Sequence, residues 1–271
     1  MDDDNNLFLI HIMDGYSFRN MIGIIKSEVE NITMILSQKE ILISFVNITG
    51  CAIHKIVLNV QEFSIYRYNY KEPQYQISLS PHELFNTTKT IGKKDGIIIS
   101  LVSGDNKLNI QPIKISTKDP GRSSSSFVNI LNKEYKRYEI PEYNIEPNIR
   151  VQAKDFADLC SQANTLKCNI IEIIGYNDKI KFKSILSNNT VSAINTFTSN
   201  YIVEKIENKT EIEEVNIKVP ISTIKALSKI HNISPSGTLL KFYFLNNKPI
   251  KIESPIGIYG TYTICIKSYK I

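Results

Sequence analysis

The alternation of apolar and polar residues divides the chain into two parts that repeat one order of elements. In the first part, helical spacing over Phe18–Ile25 is followed by strand-like alternation over Ile41–Phe45. In the second part, the same helical spacing runs over Phe156–Ala163 and the alternation over Ile180–Phe182. The corresponding landmarks Phe18 and Phe156 lie 138 positions apart, and Ile41 and Ile180 lie 139 apart. This near-constant separation predicts a duplicated structural unit.

The later portion of each part continues the match. A strand at Ile77–Leu79 and a helix over Leu84–Ile91 correspond to a strand at Ile217–Val219 and a helix over Ile224–Ile230. Each part then ends in strands, at Ile97–Val102 and Leu108–Ile110 in the first and at Leu239–Phe244 and Ile250–Ile252 in the second. The pattern predicts an α+β fold in which two similar domains each carry two helices packed on antiparallel sheet.

A different kind of segment, Lys118 to Pro147, separates the two parts. It contains Pro120-Gly121, the serine run Ser123 to Ser126, and Pro141. Proline lacks a backbone donor and glycine weakens regular elements, so neither a long helix nor a central strand suits this segment. We therefore predict an N-terminal domain over 1–117, a connector over 118–147 and a C-terminal domain over 148–271.

Composition indicates an ordinary globular chain. The 271 residues are 42% hydrophobic and 22% charged, and each half is long enough to bury a core. Apolar runs are shorter than the roughly 18 residues that cross a bilayer, and the acidic start Met1 to Asp4 is opposite in charge to a secretory signal. These features predict an intracellular protein that does not bind membranes.

Candidate catalytic and metal-binding patterns are missing from the sequence. Phosphate-binding Gly-rich loops, serine-hydrolase elbows and zinc-protease motifs are absent, and the four histidines are scattered. The four cysteines form no CxxC pair and have no histidine at zinc-ligand spacing, and the apolar settings of Cys160 and Cys265 predict core positions. We predict no cofactor, no metal and no enzymatic activity. An unrelated α+β scaffold, or an enzyme without a recognisable motif, stays the alternative.

Positive charge is concentrated in the predicted helices. Those helices carry nine basic residues against four acidic ones, and this excess of five equals the net charge of the whole chain, +5. In the first, second and fourth helices the basic residues lie opposite the apolar stripe. Short residues among them, Gly23, Asn86 and Ser222, suit phosphate contact. A solvated face explains any one such helix. Three repeat-related helices with the same pattern favour a basic surface for sequence-independent phosphate contact.

Three local segments resemble one known family. The connector end Tyr138-Glu139-Ile140-Pro141-Glu142, the helix opening Asp155 to Cys160 and the segment Glu62 to Arg67 resemble DNA sliding clamps of the proliferating cell nuclear antigen (PCNA) type. With the two-part organisation, the resemblance covers most of the chain. It implies that three chains assemble head to tail into a homotrimeric ring around double-stranded DNA. Such a ring serves as a DNA polymerase processivity factor, is opened by a clamp loader and tethers replication and DNA repair proteins.

The resemblance also implies a setting and leaves two alternatives open. The expected location is a site of DNA replication, either the nucleus or a cytoplasmic viral factory. The abundance of Ile, Asn and Lys is typical of an AT-rich genome and would suit a viral protein from a large DNA virus. The alternatives are a clamp-fold protein with a checkpoint or transcription-related role and a processivity factor that does not form a ring.

Two sets of site residues follow from the resemblance. The DNA-binding set in the bore of the ring is Arg19, Lys26, Lys89, Lys93, Lys154, Lys167, Lys225 and Lys229. The set that would bind a partner peptide through a hydrophobic plug is Val46, Cys51, Ile53, Tyr138, Ile140, Pro141, Pro249 and Cys265. The third helix carries Asp158 and Ser161 where relatives have basic residues, which puts its DNA contact in doubt. At the C-terminal end, Lys267-Ser268 replaces a small apolar pair, so peptide preference would differ.

The resemblance also implies where neighbouring chains meet. An edge strand near Asn106 to Lys114 in one chain would pair with an edge near Thr190 to Thr198 in the next, since unpaired backbone groups at sheet edges favour such pairing.

Overall fold

A computed structural model describes residues 5–114, 124–133, 136–198 and 214–268. The chain forms two compact units, each built from three segments. Unit 1 contains Met1–Phe45, Ile56–Arg137 and Pro255–Thr261, and unit 2 contains Val46–Lys55, Tyr138–Ser254 and Tyr262–Ile271. These segments are not the ranges 1–117, 118–147 and 148–271, and that division stays a prediction.

From residues 5–133, unit 1 contains, in whole or in part, two α-helices and nine strands. In chain order these are β1 Asn6–Ile12, α1 Gly15–Ile25, β2 Ile32–Ser37, β3 Glu40–Val46, β4 Ala52–Asn59, β5 Ile65–Tyr68, β6 Gln74–Leu79, α2 Pro81–Thr88, β7 Gly96–Val102, β8 Lys107–Ile113 and β9 Ser126–Asn129. One antiparallel sheet has the order β5-β1-β7-β8-β9, and a second run has the order β6-β2-β3-β4. Helix α1 contacts β7, and α2 contacts β8 and β9.

Unit 2 repeats this plan with two helical segments. Its elements from residues 136–268, in whole or in part, are β10 Ile149–Gln152, α3 Ala153–Thr165, β11 Ile170–Gly175, β12 Lys179–Ile185, β13 Val191–Thr198, β14 Val215–Pro220, α4 Ser222–Lys225, β15 Leu239–Tyr243, β16 Ile250–Ile256 and β17 Gly260–Ile266. Strands β13-β12-β11-β14 form one antiparallel sheet, and the other run has the order β10-β15-β16-β17. The predicted α+β class with large antiparallel sheets is confirmed.

Local sequence explains where the first two helices begin. Asp14 is the N-cap of α1, and its Oδ1 accepts a hydrogen bond from the Ser17 N–H at 2.9 Å. Ser80 caps α2 in the same way, and Pro81 occupies the first turn, where its missing N–H has no helical partner to lose.

The fourth predicted helix differs from expectation. It begins as α4 and then continues as a 3₁₀ helix over Ala226–Asn232. Ile224, Leu227, Ile230 and Ile233 recur every third residue, and all four are fully buried. Because a 3₁₀ helix has about three residues per turn, this spacing places all four side chains on one side.

The connector contains a strand that the sequence analysis did not predict. Residues 118–123, 134 and 135 lie outside the described residues, but β9 pairs with β8 from Lys107↔Asn129 to Ile110↔Ser126. Val128 explains this strand, because its side chain is fully buried while those on either side of it are not. The expectation that no central strand suits the connector is not contradicted, because β9 is the outermost strand of its sheet among the described residues.

One of the two predicted sheet edges is therefore wrong. The segment near Asn106 to Lys114 is not an edge over Lys107 to Ile110, because β9 covers it. Beyond Ile110, Pro112 is the next residue that would face β9, and proline has no N–H to continue the ladder. The other predicted edge is confirmed, since β13 is the outermost strand of its sheet among the described residues.

Buried sulfur and histidine side chains pack in the core. All four cysteines are buried and unbridged, which confirms the core positions expected for Cys160 and Cys265. His54 is buried against Tyr262, with Nδ1 2.7 Å from the phenol oxygen, and burial lowers the pKa of its imidazole to about 3.

Among the described residues, no group of three or more His, Cys, Asp and Glu side chains could hold a metal ion, and no described helix is long and apolar enough to cross a membrane.

Candidate DNA-facing and partner-binding surfaces

Helices α1 and α2 of unit 1 pack closely at a glycine. Gly23 is buried, and a Cβ atom built on it would lie 2.9 Å from the Phe85 ring. Gly23 therefore allows the helices to approach and does not lie on an exposed face. The expectation that Gly23 suits phosphate contact is wrong, whereas Asn86 and Ser222 are exposed as that pattern requires.

Arg19 is half-buried and joins α1 to the end of α2. Its Nη1 donates hydrogen bonds to the carbonyl oxygens of Ile91 at 2.7 Å and Lys89 at 3.4 Å, and its guanidinium lies 4.6 Å from the centre of the Tyr16 ring. A cation at the carbonyl end of a helix is electrostatically favourable. The structure thus gives Arg19 a packing role that the sequence pattern did not indicate.

The three lysines of unit 1 differ in exposure. Lys26 is half-buried, with its Nζ 3.6 Å from the centre of the Phe85 ring, a distance typical of a cation–π contact. Lys89, the C-cap of α2, and Lys93, in the loop that follows, are exposed. Both can therefore reach a phosphate without leaving a packed position.

Lys154 and Lys167 of unit 2 lie at opposite ends of α3, and both are exposed. Lys167 follows the helix with a positive φ of 53°. Its N–H donates to the Asn164 carbonyl, and the Cys168 N–H donates to the Ala163 carbonyl. This pair of backbone hydrogen bonds is typical of a helix C-terminus, and the residue in the left-handed conformation there is usually glycine. Lys167 thus lies at a helix end, and Asp158 and Ser161 are exposed along the helix itself.

Lys225 and Lys229 are both exposed, but they do not lie on one line. Lys225 is the last residue of α4, and Lys229 lies within the 3₁₀ helix. Four residues correspond to a rotation of about 40° from alignment in an α-helix but about 120° in a 3₁₀ helix. The two ammonium groups therefore spread over a wider arc than the helical pattern predicts.

A tight loop in unit 2 carries the first three predicted partner contacts. The Asn47 Oδ1 accepts hydrogen bonds from the Ala52 N–H and the Thr49 hydroxyl, both at 3.0 Å. Val46 and Ile53 flank this loop and are half-buried, while Cys51 is buried. The loop presents Ile48, whose side chain is 77% exposed. Ile48 was not in the predicted set, although a lone apolar residue in a polar Asn-x-Thr-Gly turn is a detectable signal.

The end of the connector is held on unit 2 by an aromatic residue. Tyr143 is buried, its hydroxyl donates to the Pro249 carbonyl, and its ring lies 6.2 Å from that of Tyr243. Lys251 places its Nζ 3.7 Å from the Tyr243 ring centre, and Lys248 donates to the Glu142 carbonyl at 2.7 Å. These contacts join the connector to β15, β16 and the turn between them.

This anchor brings two of the predicted partner contacts together. Ile140 packs against a hydrophobic cluster formed by Tyr143, Tyr243 and Cys265. Cys265 is buried, and burial raises the pKa of its thiol to about 12, so it acts as an apolar group. Since both Cys51 and Cys265 are buried, a docked peptide would contact the residues that cover them and not their sulfur atoms.

The three remaining members of the predicted set differ in burial. Pro249 is half-buried and supplies the carbonyl that Tyr143 binds. Tyr138 is half-buried, whereas Pro141 is exposed. Sequence analysis missed the anchoring role of Tyr143, because an aromatic residue in a proline-rich connector gives no indication of the surface it covers. The assignment of all eight residues to peptide binding stays a prediction, as does the DNA-binding set.

Comparison with known proteins gives a match in structure only. No protein-family model and no curated protein sequence matches the chain. The structure of PCNA from Entamoeba histolytica is similar with a TM-score of 0.79 at 12% identity, and the match covers 98% of this chain and 100% of that one. In the PCNA2–PCNA3 complex from Sulfolobus tokodaii, the matched chain has a TM-score of 0.76 at 12% identity, with 96% and 98% covered. The chain therefore has the PCNA clamp fold over nearly its whole length.

Proposed function

We propose that this chain is the subunit of a sliding clamp, a homotrimeric ring that encircles duplex DNA and holds a DNA polymerase on its template. The observation that carries the proposal is the match to PCNA structures, which covers 98% of this chain and 100% of the E. histolytica protein. A match of that extent includes both units. The role is non-enzymatic.

The charges support weak contact with DNA that is independent of sequence. Six of the eight predicted DNA contacts are exposed: Lys89, Lys93, Lys154, Lys167, Lys225 and Lys229. Lysine ammonium groups attract phosphate without reading base edges, so contacts of this kind exchange readily as the duplex moves. Arg19 and Lys26, which are engaged in packing, contribute mainly to the local potential.

Processivity would follow from topology. A closed ring threaded on a duplex cannot dissociate sideways, so even weak phosphate contacts are enough to keep a bound polymerase near its primer. The cluster around Ile140 and the exposed Ile48 supply apolar anchors of the kind that dominate short-peptide recognition. We assign polymerase, repair proteins and a clamp loader to these apolar residues of unit 2, and the site of action to DNA replication centres. A viral source also stays a prediction.

The test is whether the protein is retained on a DNA duplex only while both ends of the duplex are blocked. Labelled protein is threaded at high concentration onto a linear duplex with one end on a bead, the free end is blocked with streptavidin, and the bead is washed in 0.5 M salt. A ring stays on the blocked duplex, although phosphate contacts weaken strongly in such salt. It is released when a restriction enzyme removes the block. Equal loss before and after the cut would refute encirclement.

A further inference from the structure

A pair of threonine hydroxyls connects α4 with the loop formed by residues 47–52. The Thr49 hydroxyl lies 3.1 Å from the Thr223 hydroxyl, although the two residues are 174 positions apart in the sequence. Both residues belong to unit 2. The Thr223 side chain is fully buried, whereas Thr49 is half-buried. A buried hydroxyl group is costly without a hydrogen-bond partner, and the Thr49 oxygen supplies that partner.

The direction of this hydrogen bond follows from the other contacts of Thr49. The Ala52 N–H donates to Asn47 Oδ1, which identifies that atom as the amide oxygen, an acceptor only. The Thr49 hydroxyl donates its single proton to the same oxygen at 3.0 Å. In the contact with Thr223, therefore, Thr49 accepts and Thr223 donates. Hydrogen bonds that run in one direction through a shared hydroxyl strengthen one another.

The same bonds hold the loop that presents Ile48. The Cys51 N–H donates to the Thr49 hydroxyl oxygen at 3.3 Å. The Cys51 carbonyl accepts a hydrogen bond from the Lys267 N–H at 2.9 Å, directly after the end of β17. The loop is thus fixed at two points of unit 2, by α4 through Thr49 and by Lys267 through Cys51. The Ile48 side chain on this loop is 77% exposed.

A fixed loop affects how well Ile48 can bind a partner. An apolar side chain on a mobile loop has to be ordered when a partner docks, and that ordering lowers the affinity. Ile48 lies between Asn47 and Thr49, so the hydrogen bonds of these two neighbours also fix the backbone that carries Ile48. The loop is therefore ordered before a partner arrives.

We propose that Thr223 is a positioning residue for partner binding, whose hydroxyl holds the loop of residues 47–52, through Thr49, in the conformation that a partner peptide contacts. The inference rests on the proposed clamp function and adds Thr49 and Thr223 to the residues on which partner binding depends. Thr223 itself does not touch the peptide, because its side chain is fully buried. Helix α4 also carries the exposed Lys225, a predicted DNA contact, so one short helix supports both proposed surfaces.

The first arm of the test needs no ligand. Thr223→Val removes the hydroxyl and keeps the branched shape, whereas Thr223→Ser keeps the hydroxyl and is the matched control. Hydrogen exchange followed by mass spectrometry should show the amides of residues 47–52 exchanging about two- to tenfold faster in Thr223→Val, with Thr223→Ser like the wild type. Thr49→Val breaks the same link from its half-buried end and should cause at least the same increase. Unchanged exchange in both valine variants would overturn the link.

The second arm measures the binding of a polymerase-derived peptide with an apolar plug by calorimetry. Thr223→Val should weaken binding about two- to tenfold in the wild-type background and have no effect in an Ile48→Ala background, because the link acts through Ile48. Circular dichroism confirms that each variant is folded. An equal loss in both backgrounds would reveal a general structural defect and overturn the positioning role, as would no loss in either.

Failure of the proposed function gives a different result. A wild-type chain that binds no such peptide would overturn the proposed partner surface and the positioning role with it. A wild-type chain that binds the peptide as tightly as Thr223→Val does would overturn only the role of Thr223.

Discussion

Reversing the charges of Lys225 and Lys229 tests the proposed DNA-facing surface most directly. Both side chains are exposed and neither belongs to the buried face of the 3₁₀ helix, so the double change Lys225→Glu/Lys229→Glu should leave folding and assembly intact. Each Lys→Glu change lowers the charge by two, so the net charge falls from +5 to +1. The only expected structural cost is an unfavourable interaction with the helix end, about 0.3–1 kcal/mol.

The magnitude follows from counterion release. Each lysine–phosphate contact contributes about 0.9 to the slope of log affinity against log salt, so two lost contacts lower the slope by about 1.8 per chain. Between 50 and 200 mM salt, that difference corresponds to about a 12-fold change in the ratio of wild-type to variant affinity. Because Lys225 and Lys229 are spread over a wide arc, one of them alone should account for close to half of this effect.

The assay is a salt titration of binding to a linear duplex, followed by fluorescence anisotropy, with primer extension as the functional readout. The matched control is Lys39→Glu/Lys71→Glu, which makes the same change of charge at two exposed lysines outside the helices. A variant slope equal to that of the wild type would exclude phosphate contact by these lysines. An equal loss of slope in the control would show that net charge, and not helix placement, governs binding.

Three further predictions test the proposed partner surface and the core. Ile140→Asp places a carboxylate on the apolar cluster and should weaken binding of a polymerase-derived peptide at least about tenfold by calorimetry, with the DNA salt slope unchanged. His54 has a pKa of about 3 when folded and about 6.5 when unfolded, so the unfolded state takes up its proton first as pH falls. Stability should drop by about 2 kcal/mol between pH 6.5 and 5 in urea titrations, and this loss should be absent in His54→Gln. Gly175→Ala places a Cβ 2.6 Å from the buried Phe244 ring and should lower the free energy of unfolding by about 1–3 kcal/mol.

Control variants and one further outcome show which results would contradict these three predictions. Pro141→Ala alters an exposed neighbour in the connector, and an equal loss of peptide affinity there would show that the cluster is not the recognised feature. His231→Gln changes an exposed histidine, so it should keep the wild-type pH dependence. If the urea midpoint of Gly175→Ala equals that of the wild type, the space beside the Phe244 ring does not require glycine at position 175.

The order of the elements and the α+β class could be predicted from sequence because they depend on short-range periodicity. The apolar stripe of α1 and the alternation in β3 and β7 each reflect one buried face, and a buried face leaves a pattern within a few residues. The exposure of Lys89, Lys93 and Lys225 followed from the same stripes, since a residue opposite a buried stripe faces solvent. The resemblance to sliding clamps came from the order of the segments along the chain. The structural similarity to PCNA confirms the fold that this resemblance implied.

Contacts between residues distant in sequence could be decided only by tertiary structure. Arg19 bonds to Ile91 seventy-two positions away, and Tyr143 bonds to Pro249 over 106 positions, and neither residue carries a local mark of its partner. The connector strand β9 depends on the burial of Val128 against a sheet whose other strands lie elsewhere in the sequence. Local periodicity thus determined the elements and their exposed faces, while the pairing of edges and the anchoring of the connector required the folded chain, because those free energies arise from surfaces that only folding brings together.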